Sequence, residues 1–143
     1  MPGTRRGDPT AGRNDLVSLL FVYGSLLPDQ SNWFMLEPWV ADAGWPDTAP
    51  GRLYDTGLGW PAAVFGDGPG RVHGRVFTLA AATLTEALDV LDEFEGIHDG
   101  AYERIEIVTD AGRTAWAYHS HEPGDAPHVA SGDWAAHVNK QNG

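Results

Sequence analysis

The sequence contains no cysteine among its 143 residues, and this absence excludes several classes of protein. Without a thiol there is no disulfide framework, no cysteine-ligated zinc or iron–sulfur site and no cysteine nucleophile. Basic residues are also few, with 9 Lys and Arg against 20 Asp and Glu, and the formal net charge is −11. Because such a surface repels phosphate backbones, we expect no nucleic-acid partner.

Long apolar runs are missing as well. No segment reaches the roughly 18 apolar residues that a membrane-spanning helix requires. The pair Arg5 and Arg6 is not followed by the apolar core of a signal peptide. We therefore expect a cytoplasmic protein with no membrane partner.

The length suits a single domain, and the composition limits its class. The 18 Gly and 10 Pro are too many for a bundle of long helices and favour short strands with many turns. Residues 1–15 contain almost nothing to bury and are predicted to be a disordered leader. We expect one domain over residues 16–138, a tail over 139–143, and a monomer or weak dimer.

Apolar runs bounded by Gly and Pro predict most of the strands. Residues 16–23 are almost continuously apolar and end at Gly24, a pattern typical of a strand that is covered on both faces. Consecutive antiparallel strands are predicted at residues 51–54, 62–65 and 72–79. Residues 103–109 and 114–119 predict a hairpin with a three-residue loop, and residues 29–40 a short helix that Pro38 limits.

Residues 84–95 predict an amphipathic helix with recognisable ends. Thr83 is expected to cap the first turn, with Glu86 completing a capping box, and Gly96 to end the helix in a left-handed conformation. At about 100° per residue one face of the helix is apolar. Its members are Leu84, Leu88 and Leu91, flanked by Ala87 and Phe94.

Glu95 projects from the middle of that apolar face, since it lies four residues after Leu91. Burial and the negative end of the helix dipole both raise the pKa of such a carboxyl group towards neutrality. This favours Glu95 as a general base. The alternatives are a carboxylate that turns to solvent at a frayed helix end, or one that a distant cation such as Arg104 neutralises.

The turn after the first strand is a candidate anion site. It consists of Tyr23, Gly24, Ser25 and Leu26. Gly24 allows the chain to bend so that successive amides face one concavity, and such a nest binds an anion without a cationic side chain. An ordinary turn that ends a strand explains the same four residues.

Together these segments resemble the γ-glutamylcyclotransferase-like family, including its γ-glutamylamine branch. The likeness rests on Phe-Val-Tyr-Gly-Ser-Leu at residues 21–26, Leu-Asp-Glu-Phe-Glu-Gly at 91–96, and Tyr102. Residues 72–77 and 131–134 resemble further segments of the family. The resemblance covers most of the chain.

The resemblance implies a small, mostly antiparallel β-barrel with flanking helices, an α+β fold. It implies an enzyme that releases an amine or amino acid from a γ-glutamyl compound and forms 5-oxoproline, with no metal or organic cofactor. Glu95 would be the acid/base, and residues 23–26 would bind the α-carboxylate of this small-molecule substrate through backbone amides. Tyr102 would orient Glu95 or the substrate, although an aromatic residue packed in the core fits that position too.

The sequence departs from the family pattern at Leu27, where related small members often have Arg and glutathione-pathway members have a different, Asn-containing turn. Little chain follows Trp134 to cover a substrate. Both features leave the identity of the leaving group open.

Other functions are compatible with parts of the sequence. His119 and His121, with Glu122, His128 and His137 nearby, suggest a metal-dependent β-barrel enzyme, although Pro123 breaks the strand. Residues 57–62 imitate a dinucleotide fingerprint, but Pro61 and the strand that follows deny it the required helix. The six Trp could line the surface of a non-catalytic binding module on the same fold.

Overall fold

The computed structural model of the chain describes residues 17–96, 102–120 and 123–142. The predicted leader, residues 1–15, lies outside these ranges. The strands are β1 (Leu19–Val22), β2 (Trp45–Asp55), β3 (Pro61–Phe65), β4 (Arg71–Thr78), β5 (Glu103–Val108), β6 (Thr114–His119) and β7 (His128–Val129). The α-helices are α1 (Trp33–Leu36), α2 (Leu84–Phe94) and α3 (Trp134–Asn142), and 3₁₀ turns cover Glu37–Trp39 and Ala81–Thr83.

The strands form one mixed sheet in the order β3-β2-β4-β1-β6-β5, with β7 paired to β2. Only β1 and β6 are parallel among these pairs of described strands. The sheet curls until β3 meets the end of β6, where the Ser120 amide donates a hydrogen bond to the Ala63 carbonyl oxygen over 2.8 Å. The result is a nearly closed barrel flanked by α-helices, so the predicted α+β barrel class is confirmed.

β1 confirms the prediction of a strand that is covered on both faces. Phe21 and Tyr23 belong to one buried apolar cluster, whereas Leu20 and Val22 belong to another. Alternate residues of a strand point to opposite faces, so β1 separates the two clusters. The turn that follows β1 therefore emerges where both clusters end.

β2 is much longer than the predicted strand at residues 51–54. It pairs with β4 over residues 45–50 and with β3 from Gly51 onward. Pro46 and Pro50 interrupt the strand pattern in the sequence. Both lie in the half of β2 that β3 does not pair with, so no hydrogen bond to β3 requires an amide from either proline. Proline is tolerated where the ladder does not need its missing amide.

The amphipathic helix is confirmed as α2, with Ala87, Leu88 and Leu91 buried. It ends as predicted, because Gly96 adopts a left-handed φ of 76°. The predicted capping box is wrong: Thr83 makes no side-chain cap hydrogen bond. The 3₁₀ turn Ala81–Thr83 runs directly into α2, so Thr83 is not in the extended conformation that a side-chain cap adopts (φ −123°, ψ 18°).

The remaining elements differ from their predictions mainly in their boundaries. The helix expected over residues 29–40 is α1 followed by the 3₁₀ turn that contains Pro38. The hairpin of β5 and β6 has the expected loop, since the Thr109 amide donates to the Arg113 carbonyl oxygen over 2.8 Å. α3 includes residues 139–142 of the segment that the sequence assigned to a tail. No helix in the described ranges combines the length and apolar character needed to cross a bilayer.

Candidate active site

A cavity of about 460 Å³ opens where β1 ends. All six residues that the sequence singles out for the site line it: Tyr23, Gly24, Ser25, Leu26, Glu95 and Tyr102. They come from the turn after β1, the end of α2 and the approach to β5. The fold therefore brings the turn after β1 together with two residues, Glu95 and Tyr102, that lie far from it in the sequence.

The turn after β1 is held by hydrogen bonds to its own neighbours. The Leu27 amide donates to the Gly24 carbonyl oxygen over 3.0 Å, and the Asn32 amide donates to the Ser25 carbonyl oxygen over 2.8 Å. The Asn32 side-chain amide also donates to Ser25 Oγ over 3.0 Å. These contacts fix the conformation of the turn, and none of them uses the backbone amide of Gly24, Ser25 or Leu26.

Three successive amides of the turn have no acceptor in the part of the chain that the structure describes. Within the described ranges, the N–H groups of Gly24, Ser25 and Leu26 donate to no backbone or side-chain atom. An unpaired backbone N–H beside an enclosed cavity is costly unless water or a ligand satisfies it. The turn therefore offers donors to a negatively charged ligand group.

Pro61, the first residue of β3, connects this turn to Tyr102. A Cβ atom on Gly24 would lie 2.7 Å from Cγ and Cδ of Pro61, so glycine lets the two segments approach. The Pro61 carbonyl oxygen accepts a hydrogen bond from the Tyr102 hydroxyl over 2.7 Å. Tyr102 thus supports the wall against which the turn packs.

Glu95 continues the last turn of α2, because its amide donates to the Leu91 carbonyl oxygen over 2.9 Å. It therefore keeps the angular position that the helical wheel predicts, and it lines the cavity. Its residue surface is only partly accessible to water. Burial raises the pKa of its carboxyl group to about 7. A carboxyl group with that pKa exchanges protons readily at neutral pH.

Arg104, which the sequence left open as a partner for Glu95, pairs with a different acid. Its Nε and Nη2 atoms donate to both carboxylate oxygens of Asp92 over 2.7 and 3.1 Å. Its guanidinium group also lies 4.4 Å from the centre of the Trp116 ring. Asp92 and Glu95 thus have separate environments at the end of α2.

Three tyrosines surround Glu95, and each uses its hydroxyl group elsewhere. Tyr23 donates to the Tyr118 carbonyl oxygen over 2.6 Å, and Tyr118 donates to Asp92 over 2.8 Å. Burial raises the pKa of all three hydroxyl groups. The negative charge of Glu95 adds to the shift for Tyr23 and Tyr102, whereas for Tyr118 the charge of Asp92 and the hydrogen bond to it add more than Glu95 does. Since Tyr102 donates to Pro61, all three protons are committed to other acceptors.

The cavity also contains residues that sequence reasoning missed. They are Leu20, Phe21, Val22, Asn32, Trp60, Pro61, Phe94, Gly96 and Tyr118. Phe94 was assigned only to a flank of the apolar helix face. The predicted hairpin places Tyr118 opposite Arg104, but no local pattern indicates that the hairpin lies beside the cavity. Asn32 carried no local signal, since only the tertiary structure brings it to the turn. Trp60 was singled out only as one of six Trp that could line a binding surface.

The described histidines do not form a metal site. His119 accepts a hydrogen bond from the Phe65 amide over 3.1 Å, His137 contacts Asp55 over 2.8 Å, and His128 packs against Tyr54. No group of three or more potential ligands occurs in the described ranges. His121 and Glu122 lie outside the described residues.

Comparison with known proteins assigns the chain to a family. The family model described as "Gamma-glutamyl cyclotransferase, AIG2-like" matches residues 20–136. The chain belongs to this family. The predicted resemblance is therefore confirmed.

Individual members of the gamma-glutamyl cyclotransferase, AIG2-like family and related structures agree with this membership. Gamma-glutamylcyclotransferase family protein YtfP of Escherichia coli (strain K12) is 37% identical over 118 residues, which cover 80% of this chain and 94% of YtfP. The solution structure of YtfP covers 84% of this chain and 98% of its own, with a TM-score of 0.59 and 32% identity.

Two further solved structures share the fold. YkqA of Bacillus subtilis has 27% identity and a TM-score of 0.67, with 87% of this chain and 42% of YkqA covered. A structure described as gamma-glutamyl cyclotransferase has 21% identity and a TM-score of 0.51, over 77% of this chain and 70% of its own. At that identity the second likeness concerns the fold alone.

Proposed function

We propose that this protein is a γ-glutamyl cyclotransferase that releases an amine or amino acid from a γ-glutamyl compound and forms 5-oxoproline. The observation that supports it most is one cavity holding both Glu95, with a pKa of about 7, and three turn amides that have no acceptor among the described residues. The first suits proton transfer and the second suits an anion. A γ-glutamyl substrate needs both.

The amides of Gly24, Ser25 and Leu26 bind the α-carboxylate of the glutamyl group. No Lys, Arg or His is among the described residues that line the cavity. Backbone dipoles supply the positive potential instead, which allows an acidic protein to hold an anion. This contact orients the α-ammonium group towards Glu95.

Glu95 then moves the proton. Its carboxylate takes a proton from the α-ammonium group, whose ordinary pKa is about 8. The free amine attacks the γ-carbonyl carbon, a C–N bond forms, and the amide C=O becomes the oxyanion of a tetrahedral intermediate. The bond to the leaving nitrogen breaks as Glu95 returns the proton to it. The ring nitrogen then gives its second proton to the Glu95 carboxylate, which passes it to the released amine, so the products are 5-oxoproline and the amine in its ammonium form.

Positioning provides much of the rate, because the attack is intramolecular. A glutamyl chain in solution is mostly extended, and the cavity holds it folded so that amine and carbonyl meet. The committed hydroxyl groups of Tyr23, Tyr102 and Tyr118 contribute rigid walls. They leave Glu95 without a competing tyrosine donor.

The test is product analysis with several γ-glutamyl amides and γ-glutamyl amino acids. The proposal predicts that the purified protein releases 5-oxoproline and the free amine in equal amounts. Release of glutamate and the amine would indicate hydrolysis instead. Binding without any turnover would favour the non-catalytic module.

A further inference from the structure

Two large aromatic side chains that line the cavity remain partly exposed to water. Trp60 has 41% of its surface exposed and Phe94 has 38%. By contrast, the lining residues Phe21 and Tyr23 are buried. Partly exposed lining residues border the opening of a cavity. The most exposed of the described lining residues are therefore aromatic.

These two residues adjoin the groups to which the proposed function assigns chemistry. Trp60 directly precedes Pro61, whose ring packs on Gly24 of the amide turn. Phe94 directly precedes Glu95. Trp60 and Phe94 thus lie next to the polar groups that hold the glutamyl part of the substrate. The leaving group, which extends beyond the glutamyl part, must lie against these two rings.

The charges at the cavity also limit the leaving group. The ionisable residues among its described lining are Glu95 and three tyrosines, and none is a cation. A carboxylate on the leaving group would lie near Glu95 with no opposite charge to compensate its desolvation. The turn amides are already used by the α-carboxylate of the glutamyl group.

We propose that Trp60 and Phe94 form a leaving-group subsite that selects γ-glutamyl amides whose amine carries an aromatic or bulky apolar substituent and no carboxylate. The apolar substituent packs on the two rings and displaces water from them. It also closes the cavity above Glu95. This inference rests on the proposed function and deepens it.

Three substrates separate the contributions of ring and charge. γ-Glutamyl-phenylethylamide carries the ring, γ-glutamyl-ethylamide lacks it, and γ-glutamyl-phenylalanine adds only a carboxylate. We expect kcat/KM for phenylethylamide to exceed that for each of the other two by about tenfold or more, because a hydrophobic pocket discriminates by such factors. The readout is 5-oxoproline release.

Substitutions assign the preference to Trp60 and Phe94. Trp60→Ala and Phe94→Ala should each reduce the ratio of phenylethylamide to ethylamide several-fold. Trp45→Ala is the matched control, because Trp45 is 42% exposed but packs under Arg113 and is absent from the cavity lining. The ratio should be unchanged in that variant.

The outcomes distinguish the two proposals. Equal kcat/KM for all three substrates, or a preference for γ-glutamyl-phenylalanine, overturns the subsite while the cyclotransferase activity stands. A preference that survives both the Trp60→Ala and the Phe94→Ala substitution also overturns it. Absence of 5-oxoproline from every substrate overturns the proposed function and the subsite with it.

Discussion

The Tyr102 hydroxyl group donates a hydrogen bond to the Pro61 carbonyl oxygen over 2.7 Å. The same Pro61 packs its ring against Gly24, at the start of the amide turn. Tyr102 therefore acts on the turn through Pro61. Its hydroxyl group is a positioning group in this account, and Glu95 alone moves the proton.

Tyr102→Phe removes this hydrogen bond and keeps the ring. A buried hydrogen bond contributes about 0.5–1.5 kcal/mol, so the loss corresponds to about a tenfold effect at most. We expect KM to rise by several-fold while kcat changes little, as steady-state kinetics would measure. Tyr54→Phe is the control, because Tyr54 packs on His128 and does not line the cavity. A fall in kcat of a hundredfold or more would instead assign Tyr102 to the chemistry.

Gly24→Ala should disturb the turn directly. The added Cβ would lie 2.7 Å from two ring atoms of Pro61, so the turn or β3 must shift. Overpacking of this kind costs about 1–3 kcal/mol. We expect a lower melting temperature and a KM raised about tenfold or more. Gly66→Ala has open space around its Cβ and should behave like the wild type. Wild-type kinetics in Gly24→Ala would contradict the close contact.

Asp92 links three elements, because it accepts hydrogen bonds from both Arg104 and Tyr118. Asp92→Asn removes the charge that both donors need, and the loss of a charge-assisted hydrogen bond costs about 1–3 kcal/mol. Urea unfolding should show this loss, whereas Asp89→Asn, at an exposed position of the same helix, should stay within about 0.5 kcal/mol. Equal effects of the two substitutions would show that the network contributes no stability.

Glu95 should make the stability of the protein depend on pH. Its pKa is about 7 in the folded chain against an ordinary value of 4.5. Between these values the unfolded chain binds fewer protons than the folded one, so stability falls as pH rises from about 4.5 to about 7 and is then level. Glu95→Gln carries no charge, and it should therefore gain melting temperature relative to the wild type at pH 8 but little at pH 5.

Glu93→Gln serves as the control for this pH dependence. Glu93 lies on the exposed face of α2, two residues before Glu95. The melting temperature of the Glu93→Gln variant should follow that of the wild type at both pH 5 and pH 8. A constant offset between Glu95→Gln and the wild type across this range would contradict a raised pKa at Glu95.

The parts of the site that local periodicity controls could be predicted from the sequence. The helical wheel of α2 placed Glu95 among buried leucines. The hydrogen bond from its backbone amide to the Leu91 carbonyl oxygen keeps it in that position. Gly96 marked the end of the helix. The apolar run before Gly24 located β1, so the sequence indicated both polar groups that line the cavity.

What the sequence could not predict depends on non-local pairing. Leu20 of β1 lies opposite Trp116 in a parallel pair, and no local pattern announces a partner so distant in the chain. That pairing sets β6, and with it Tyr118, beside the cavity. Trp60 reaches the cavity only because β3 starts at Pro61. The predicted side-chain cap at Thr83 is absent for a local reason, because the 3₁₀ turn Ala81–Thr83 runs directly into α2.

The most direct test of the account is the turnover of Glu95→Gln with a γ-glutamyl amide that the wild type cyclises. Gln keeps the size and hydrogen-bonding capacity of the side chain but cannot accept the proton. Proton transfer by one positioned group contributes about 10² to 10⁴ in rate, so kcat should fall at least about a hundredfold. The wild-type kcat/KM should also decline as pH falls below about 7, where Glu95 becomes protonated. A Glu95→Gln variant that forms 5-oxoproline at the wild-type rate would contradict the account.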